Sequence, residues 1–429
     1  MRNRVWMKGI CWLVFFGLAL CSCSLEELLQ EVPRDYAISG TAPQDSSEET
    51  GELFPEEEDA GAEDGSFHGE GADEEETSFL MPEAVRFACE RLSEAERVWY
   101  YDMERMLGSF GDKVQLDNAG LEAGLEAEDV DRIFQCVLND HPELFFVEGY
   151  SYTRYTRGER TTAIEFSGTY TMDRETAAKR LEEIDAAASR ILSGISPDAG
   201  DYEKVKYVYD TLIRETDYEL GAPDNQNIYS VFVNHVSVCQ GYAKATQYLL
   251  NRLGVECTLV LGTVDAGEGH AWNLVKVEGD YYFVDTTWGD ASYRTEEGQG
   301  DAEETDFKVP EVNYDYLNVT TAELLRTHTL GGEVEMPLCT QVKANYYVRE
   351  KALFSAYDEE QLQELFNKAL EQGRDDVTVK CADRACFDAM YTALIQEHEI
   401  FQYLPDHNGS VAYAQNEDQL SLTFWVTNE

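Results

Sequence analysis

Between Cys239 and Asp285 the chain changes its hydrophobic period once, and that change limits what it can fold into. "GYAKATQYLLNRLG" puts Tyr242, Ala245, Thr246, Leu249 and Leu253 on one side of a helix, with Gly254 as its C-terminal stop. "VECTLVLGTV", "HAWNLVKV" and "YYFVDTTW" then read as three strands, the last two joined at Glu278-Gly279-Asp280. One helix followed by a hairpin-linked set of strands predicts an α+β core.

Cys239 stands just before that helix. Unpaired N–H groups and the positive end of the helix dipole favour thiolate over thiol there. Ser237 and Gln240 are available to cap the helix, and Gly241 permits close backbone packing. Downstream, a hairpin turning on Glu278-Gly279 pairs Val277 with Asp280 and sets His270 diagonal to Asp285 on one face. A turn on Gly279-Asp280 keeps the facing but moves the two apart. The expectation is a nucleophile (Cys239), a base (His270) and an orienting carboxylate (Asp285). Such a set predicts thiol-dependent acyl transfer through a thioester, with His270 protonating the departing amine. Other readings of Cys239 are a buried structural thiol, a disulfide with Cys257, or a zinc ligand with His270 and Asp285. No fourth ligand lies nearby in the sequence, so no metal is expected.

"VSVCQGYAKATQYLLNRLGVEC", "GHAWNLVKV" and "YYFVDTTWGD" together resemble the three core blocks of bacterial transglutaminase-like proteins. The strong resemblance covers roughly 200 to 295. Weaker likeness runs through "DHPELFFVEGY" and "YDYLNVTTAELLRTHTL", a layout similar to transglutaminase-like surface lipoproteins. The resemblance implies a papain-like transglutaminase core flanked by small α/β domains, with Cys239, His270 and Asp285 in the triad roles. The implied activity is that of a cysteine peptidase or amidase, hydrolysing a peptide or amide at the cell surface. Amine-acceptor protein cross-linking is the alternative, as is a non-catalytic surface binding module. For the oxyanion, the backbone N–H of Cys239 is one expected donor. Gln226 is the side-chain candidate, because papain-like sites often use a glutamine before the nucleophile helix. Alternation places Trp272 on the His270 face as a wall of the substrate site, and Trp288 and Tyr282 on the other face as core. Asp290 reads equally as a substrate contact or a solvated loop residue. His328 reads as a pocket residue or, preferably, as an ordinary satisfied histidine. No P-loop or dinucleotide glycine run is present, so no cofactor is expected.

The rest of the chain says where such a protein works. Arg2, Arg4 and Lys8 precede the apolar run Ile10 to Leu20, which reads as a secretory signal. Leu20-Cys21-Ser22-Cys23 resembles a lipobox with Cys23 as the lipidated residue, so residues 1–22 are expected to be a lipoprotein signal peptide. Acidic, Gly- and Ser-rich residues 23–78 read as a disordered tether, with an acidic interaction tail as the other reading. The expected location is extracytoplasmic, anchored by lipid to a bacterial cell membrane, facing a peptide or cell-envelope component. With 84 Asp+Glu against 33 Lys+Arg, the formal charge of -51 argues against nucleic acid as a partner. Residues 79–195 read as an N-terminal α/β domain, 196–334 as the catalytic core and 335–429 as a C-terminal α/β domain. "QVKANYYVRE" is expected to be extended. Cys381 and Cys386 read either as a bridge or as core.

Overall fold

The computed structural model describes residues 6–10, 78–81, 85–158, 160–264, 267–290, 310–332, 334–404 and 411–426, the first of these by backbone alone. Cys23 and the acidic stretch before residue 78 lie outside the described residues, as does most of the expected leader.

Among the described residues, three four-stranded sheets carry the structure. The first has the order β1-β3-β4-β2, with β1 Trp6–Ile10, β2 Val114–Gln115, β3 Val147–Arg157 and β4 Arg160–Tyr170. Its helices include Glu94–Gly108 and Asp129–Asp140, which pack on each other through buried residues such as Trp99, Met103, Ile133 and Phe134. The helical segment before residue 109 is divided into Phe87–Glu90 and Glu94–Gly108. The division has a local cause. Ser93 and Glu96 form a reciprocal capping box, which starts a new helix there. The N–H groups of Ala88 and Cys89 go to the buried Asp140 carboxylate. Helix Arg174–Leu192 follows, capped by Asp173 as its sequence predicts.

Helix Asp201–Glu215 leads to a two-residue parallel pair, β5 Asp217–Tyr218 with β6 Val236–Ser237, and β6 feeds helix Cys239–Arg252. The central sheet has the order β10-β7-β8-β9, every neighbour antiparallel. Its strands are β7 Cys257–Val264, β8 Glu268–Val277, β9 Asp280–Val284 and β10 His328–Leu330. The Cys239–Arg252 helix covers this sheet. Asn273 on β8 donates to Ala243 O of the helix and to Thr258 O of β7, tying the two layers together. Gly262 on β7 allows the approach of β10: a Cβ there would come 2.1 Å from Thr329 O and 2.5 Å from the Trp272 ring.

The third sheet has the order β11-β12-β14-β13, with β11 Leu353–Phe354, β12 Asp376–Cys381, β13 Tyr413–Asn416 and β14 Ser421–Trp425. It is bound to the segment before β10 by a buried ion pair, Lys380 Nζ to Asp315 Oδ1 at 3.0 Å; Asn416 and Ser421 satisfy the other oxygen. "QVKANYYVRE" is not extended. It contains helix Tyr346–Arg349, capped by Asn345. The Tyr346 ring stacks 3.8 Å from Tyr314, so aromatic packing outweighs the strand preference of the tyrosines.

Cys89, Cys136, Cys239, Cys257, Cys339, Cys381 and Cys386 are all buried, and none is joined to another by a disulfide. Cys381 and Cys386 therefore follow the core reading. Among the described residues no helix is long and apolar enough to cross a membrane.

Candidate functional site

The turn between β8 and β9 takes the first of the two predicted registers, pairing Val277 with Asp280 and Asn273 with Val284. Asp285 directly follows β9 and begins the short helix Thr286–Gly289. Its two oxygens have separate tasks. Oδ1 accepts the backbone N–H groups of Thr287 and Trp288 at 2.9 and 3.1 Å, which fixes the carboxylate as an N-cap. Oδ2 is left to face the sheet, where His270 Nε2 lies at 2.7 Å. The Asp285 N–H is itself held by Tyr316 O at 3.1 Å.

A second imidazole reaches the same oxygen. His328, at the start of β10, places Nε2 3.0 Å from Asp285 Oδ2 and Nδ1 2.8 Å from Thr327 Oγ1. His328 is thus buried beside His270 with both ring nitrogens partnered, which accords with the satisfied histidine the sequence reading preferred and brings it next to the expected pocket. A three-residue strand that pairs with β7 from the far side of a long connection leaves little periodic signal. The "RTHTL" motif was the only pointer.

The surroundings are apolar and closed. His270, Asp285 and His328 are 4%, 1% and 3% exposed. Trp272 stacks 5.9 Å from His270 and lies 4.9 Å from His328. Trp288 is 6.0 Å from His270 and 4.8 Å from His328. Trp272 thus stands beside the histidine as alternation predicted. Trp288, expected on the opposite face, also belongs to the wall, because it lies beyond β9 on the helix that Asp285 caps.

The electrostatics follow from this enclosure. Burial pulls the His270 pKa down, but the Asp285 carboxylate, with a further contribution from Cys239, pushes it up to about 10. Burial likewise penalises the Asp285 anion, yet His270 and His328 hold its pKa well below the usual carboxylate range. Each group thus favours the charged form of the other.

Cys239 begins its helix as predicted, but Val238 is the N-cap and no side chain caps it. Ser237, expected to serve the cap, bonds Asn225 O and the Ser230 hydroxyl instead. Gly241 is needed for that arrangement: a Cβ would lie 1.9 Å from Ser237 Oγ and 3.0 Å from Asn225 O. The Cys239 thiol lies within hydrogen-bond reach of the His270 ring. It nevertheless stands outside the compact cluster. Gln226 is exposed, in contrast to the buried cluster. Asp290 is buried and accepts the Tyr242 hydroxyl at 2.9 Å, so it is not a solvated loop residue.

This geometry corrects the expected chemistry. Among the described residues, the polar atoms that lie within 4.8 Å of one another in a catalytic type of cluster belong to His270, Asp285 and His328, with no cysteine. Thiol-dependent acyl transfer at a Cys239–His270–Asp285 triad is therefore not what the site supports. The physical reason is the pairing of β10 with β7, which gives the carboxylate a second imidazole in place of a single partner. Histidine and carboxylate are also metal-ligand types. Both Nε2 atoms lie at hydrogen-bond distance from the one carboxylate oxygen, so the three side chains form one hydrogen-bonded set.

Residues 185–286 match the family model described as the transglutaminase-like superfamily. Kyphoscoliosis peptidase of Mus musculus is 26% identical over 134 residues, covering 25% of this chain and 20% of the mouse protein. Kyphoscoliosis peptidase of Homo sapiens is 27% identical over 105 residues, covering 21% of this chain and 16% of the human protein. The chain thus spans no more than a fifth of the length of these curated relatives. The crystal structure of a TGase is 14% identical, covering 38% of this chain and 50% of that one, with a TM-score of 0.24. The chain is a distant match to the transglutaminase-like, papain-like superfamily fold, and its mixed α+β core has that architecture.

Proposed function

We propose that this chain is a hydrolase in which His270 carries the proton that the reaction moves. The observation that bears the reading is the buried His270 Nε2 to Asp285 Oδ2 contact of 2.7 Å. It orients the ring and keeps it protonated at neutral pH, as an acid positioned to protonate a leaving group. A placed acid of this kind contributes about 10²- to 10⁴-fold to a rate. The superfamily match over the core and the peptidase names of the curated relatives support hydrolysis in general. The proposed substrate is a peptide or a cell-envelope component, met outside the cytoplasm by a protein tethered through a lipid on Cys23. Cys239 enters the proposal as a residue beside His270 and Trp272 as a ring beside it; water is the nucleophile, its oxygen bonding to the carbonyl carbon as the amine that His270 protonates departs.

The test incubates the full chain with peptide mixtures and cell-envelope fragments and reads cleavage by mass spectrometry. His270→Ala and Asp285→Asn should each lower the rate at least about 100-fold while the protein stays folded. Cys239→Ala in parallel reports whether cleavage also needs the thiol. Undiminished cleavage by folded His270→Ala refutes the proposal. Burial of all three polar groups favours a second reading, a structural clamp joining β8, β9 and β10. In that case the same variants lose stability and no cleavage is found in the parent.

A further inference from the structure

The sheet order puts a second histidine on the carboxylate that orients His270. We infer that His328 is a positioning residue, which sets the proton affinity of His270 through the Asp285 oxygen that both imidazoles share. The inference rests on the proton-carrying role proposed for His270.

Asp285 has one oxygen to offer. Oδ1 is committed to the N–H groups of Thr287 and Trp288, and Oδ2 alone meets the imidazoles. A single anionic oxygen divided between two donors stabilises each less than it would stabilise one alone. His328 therefore draws on the negative charge that holds the proton on His270.

Both nitrogens of His328 are partnered, and the Thr327 hydroxyl on Nδ1 also reaches Leu324 O at 3.5 Å. Thr327 Oγ1 lies 2.8 Å from Nδ1, and a hydroxyl that donates there leaves the proton on Nε2, directed at Asp285. Thr327 is itself held. Its hydroxyl is 3.4 Å from the Tyr316 hydroxyl and 3.5 Å from Nε2 of buried Gln419, in the turn before β14. The turn leading into the third sheet thus braces the histidine. The rings of Trp272, Trp288 and Tyr316, with centroids 4.9, 4.8 and 5.6 Å from that of His328, enclose the ring.

The charged and titratable groups facing this pair are few. Cys239 comes from the helix that covers the sheet, Asp285 from the end of β9, and His328 from β10. Tyr209, on helix Asp201–Glu215, is electrostatically coupled to Asp285, with its hydroxyl donated to Asn313 O. None of the others shares Oδ2 with His270, so His328 is the group whose removal returns that oxygen to it.

The experiment follows His270 by NMR of the full chain carrying ¹⁵N-labelled histidine, titrated in the parent, His328→Phe, His328→Gln and Thr327→Val proteins. In His328→Phe the His270 midpoint should rise by roughly half a unit to one unit, about a three- to tenfold gain in proton affinity. His328→Gln keeps a neutral N–H donor and should stay near the parent. Thr327→Val frees the tautomer and should shift the midpoint the same way, by less. An unchanged midpoint in folded His328→Phe overturns the inference, as does a His328→Gln shift equal to that of His328→Phe. If His328→Phe does not fold, the Thr327→Val shift decides: a rise supports the inference and no change overturns it. The readout needs no substrate. A protein that cleaves nothing but shows these shifts refutes the proposed function and keeps the inference, and a cleaving protein without them does the reverse.

Discussion

Replacing Asp285 with Asn removes one charge and no volume, and the structure says what that charge supports. Asp285 accepts from His270, His328, Thr287 N–H and Trp288 N–H. Asn keeps one acceptor oxygen, which can stay on the two backbone groups. Its amide N–H then faces two imidazole N–H groups in a buried site. Removing one member of a buried, hydrogen-bonded ion pair costs about 3–5 kcal/mol, and that is the expected loss of unfolding free energy near pH 6. The pH dependence gives the sharper test. His270 is raised from 6.5 to about 10 in the folded protein. A raised imidazole contributes stability that is fully present below pH 6.5 and is lost as pH climbs toward 10. Chemical denaturation at a series of pH values should therefore show the parent losing up to about 1.4 kcal/mol per pH unit across that window. In Asp285→Asn the largest raising influence on His270 is gone and burial remains, so this decline should disappear. An equal decline in both proteins, or a total cost below about 1 kcal/mol, would show that the carboxylate does not hold the His270 proton.

Gly241→Ala should destabilise by about 1–3 kcal/mol, read as a lower thermal midpoint, because the new methyl meets Ser237 Oγ and Asn225 O. Lys380→Met strands the buried Asp315 carboxylate and should cost about 3–5 kcal/mol in denaturant unfolding. Limited proteolysis should then open the third sheet first. Cys257 is fully buried and burial pushes its thiol pKa well up. Iodoacetamide at pH 8 should leave it unmodified in the native protein and label it once denatured; native labelling at the rate of a free thiol would contradict the packing of β7.

What was legible from the sequence alone was whatever is set over short distances along the chain. The Cys239–Arg252 helix, the strands β7, β8 and β9, the Asp173 cap and the turn after Val277 all follow from periodicity and turn chemistry within a few residues. The closeness of His270 and Asp285 belongs to the same class, since two strands joined by a tight turn leave few registers to choose from. The broken helix before Glu94, the helical turn at Tyr346–Arg349 and the place of Trp288 did not follow, because their partners come from other elements. His328 is the plainest case. It lies 43 residues beyond Asp285 and reaches it only because β10 pairs with β7, a contact that Gly262 makes close. A strand of three residues has too short a pattern to announce itself, and its pairing is decided by the sheet edge that the rest of the fold leaves open. The tertiary structure, and not the local sequence, therefore decided how many imidazoles share the carboxylate.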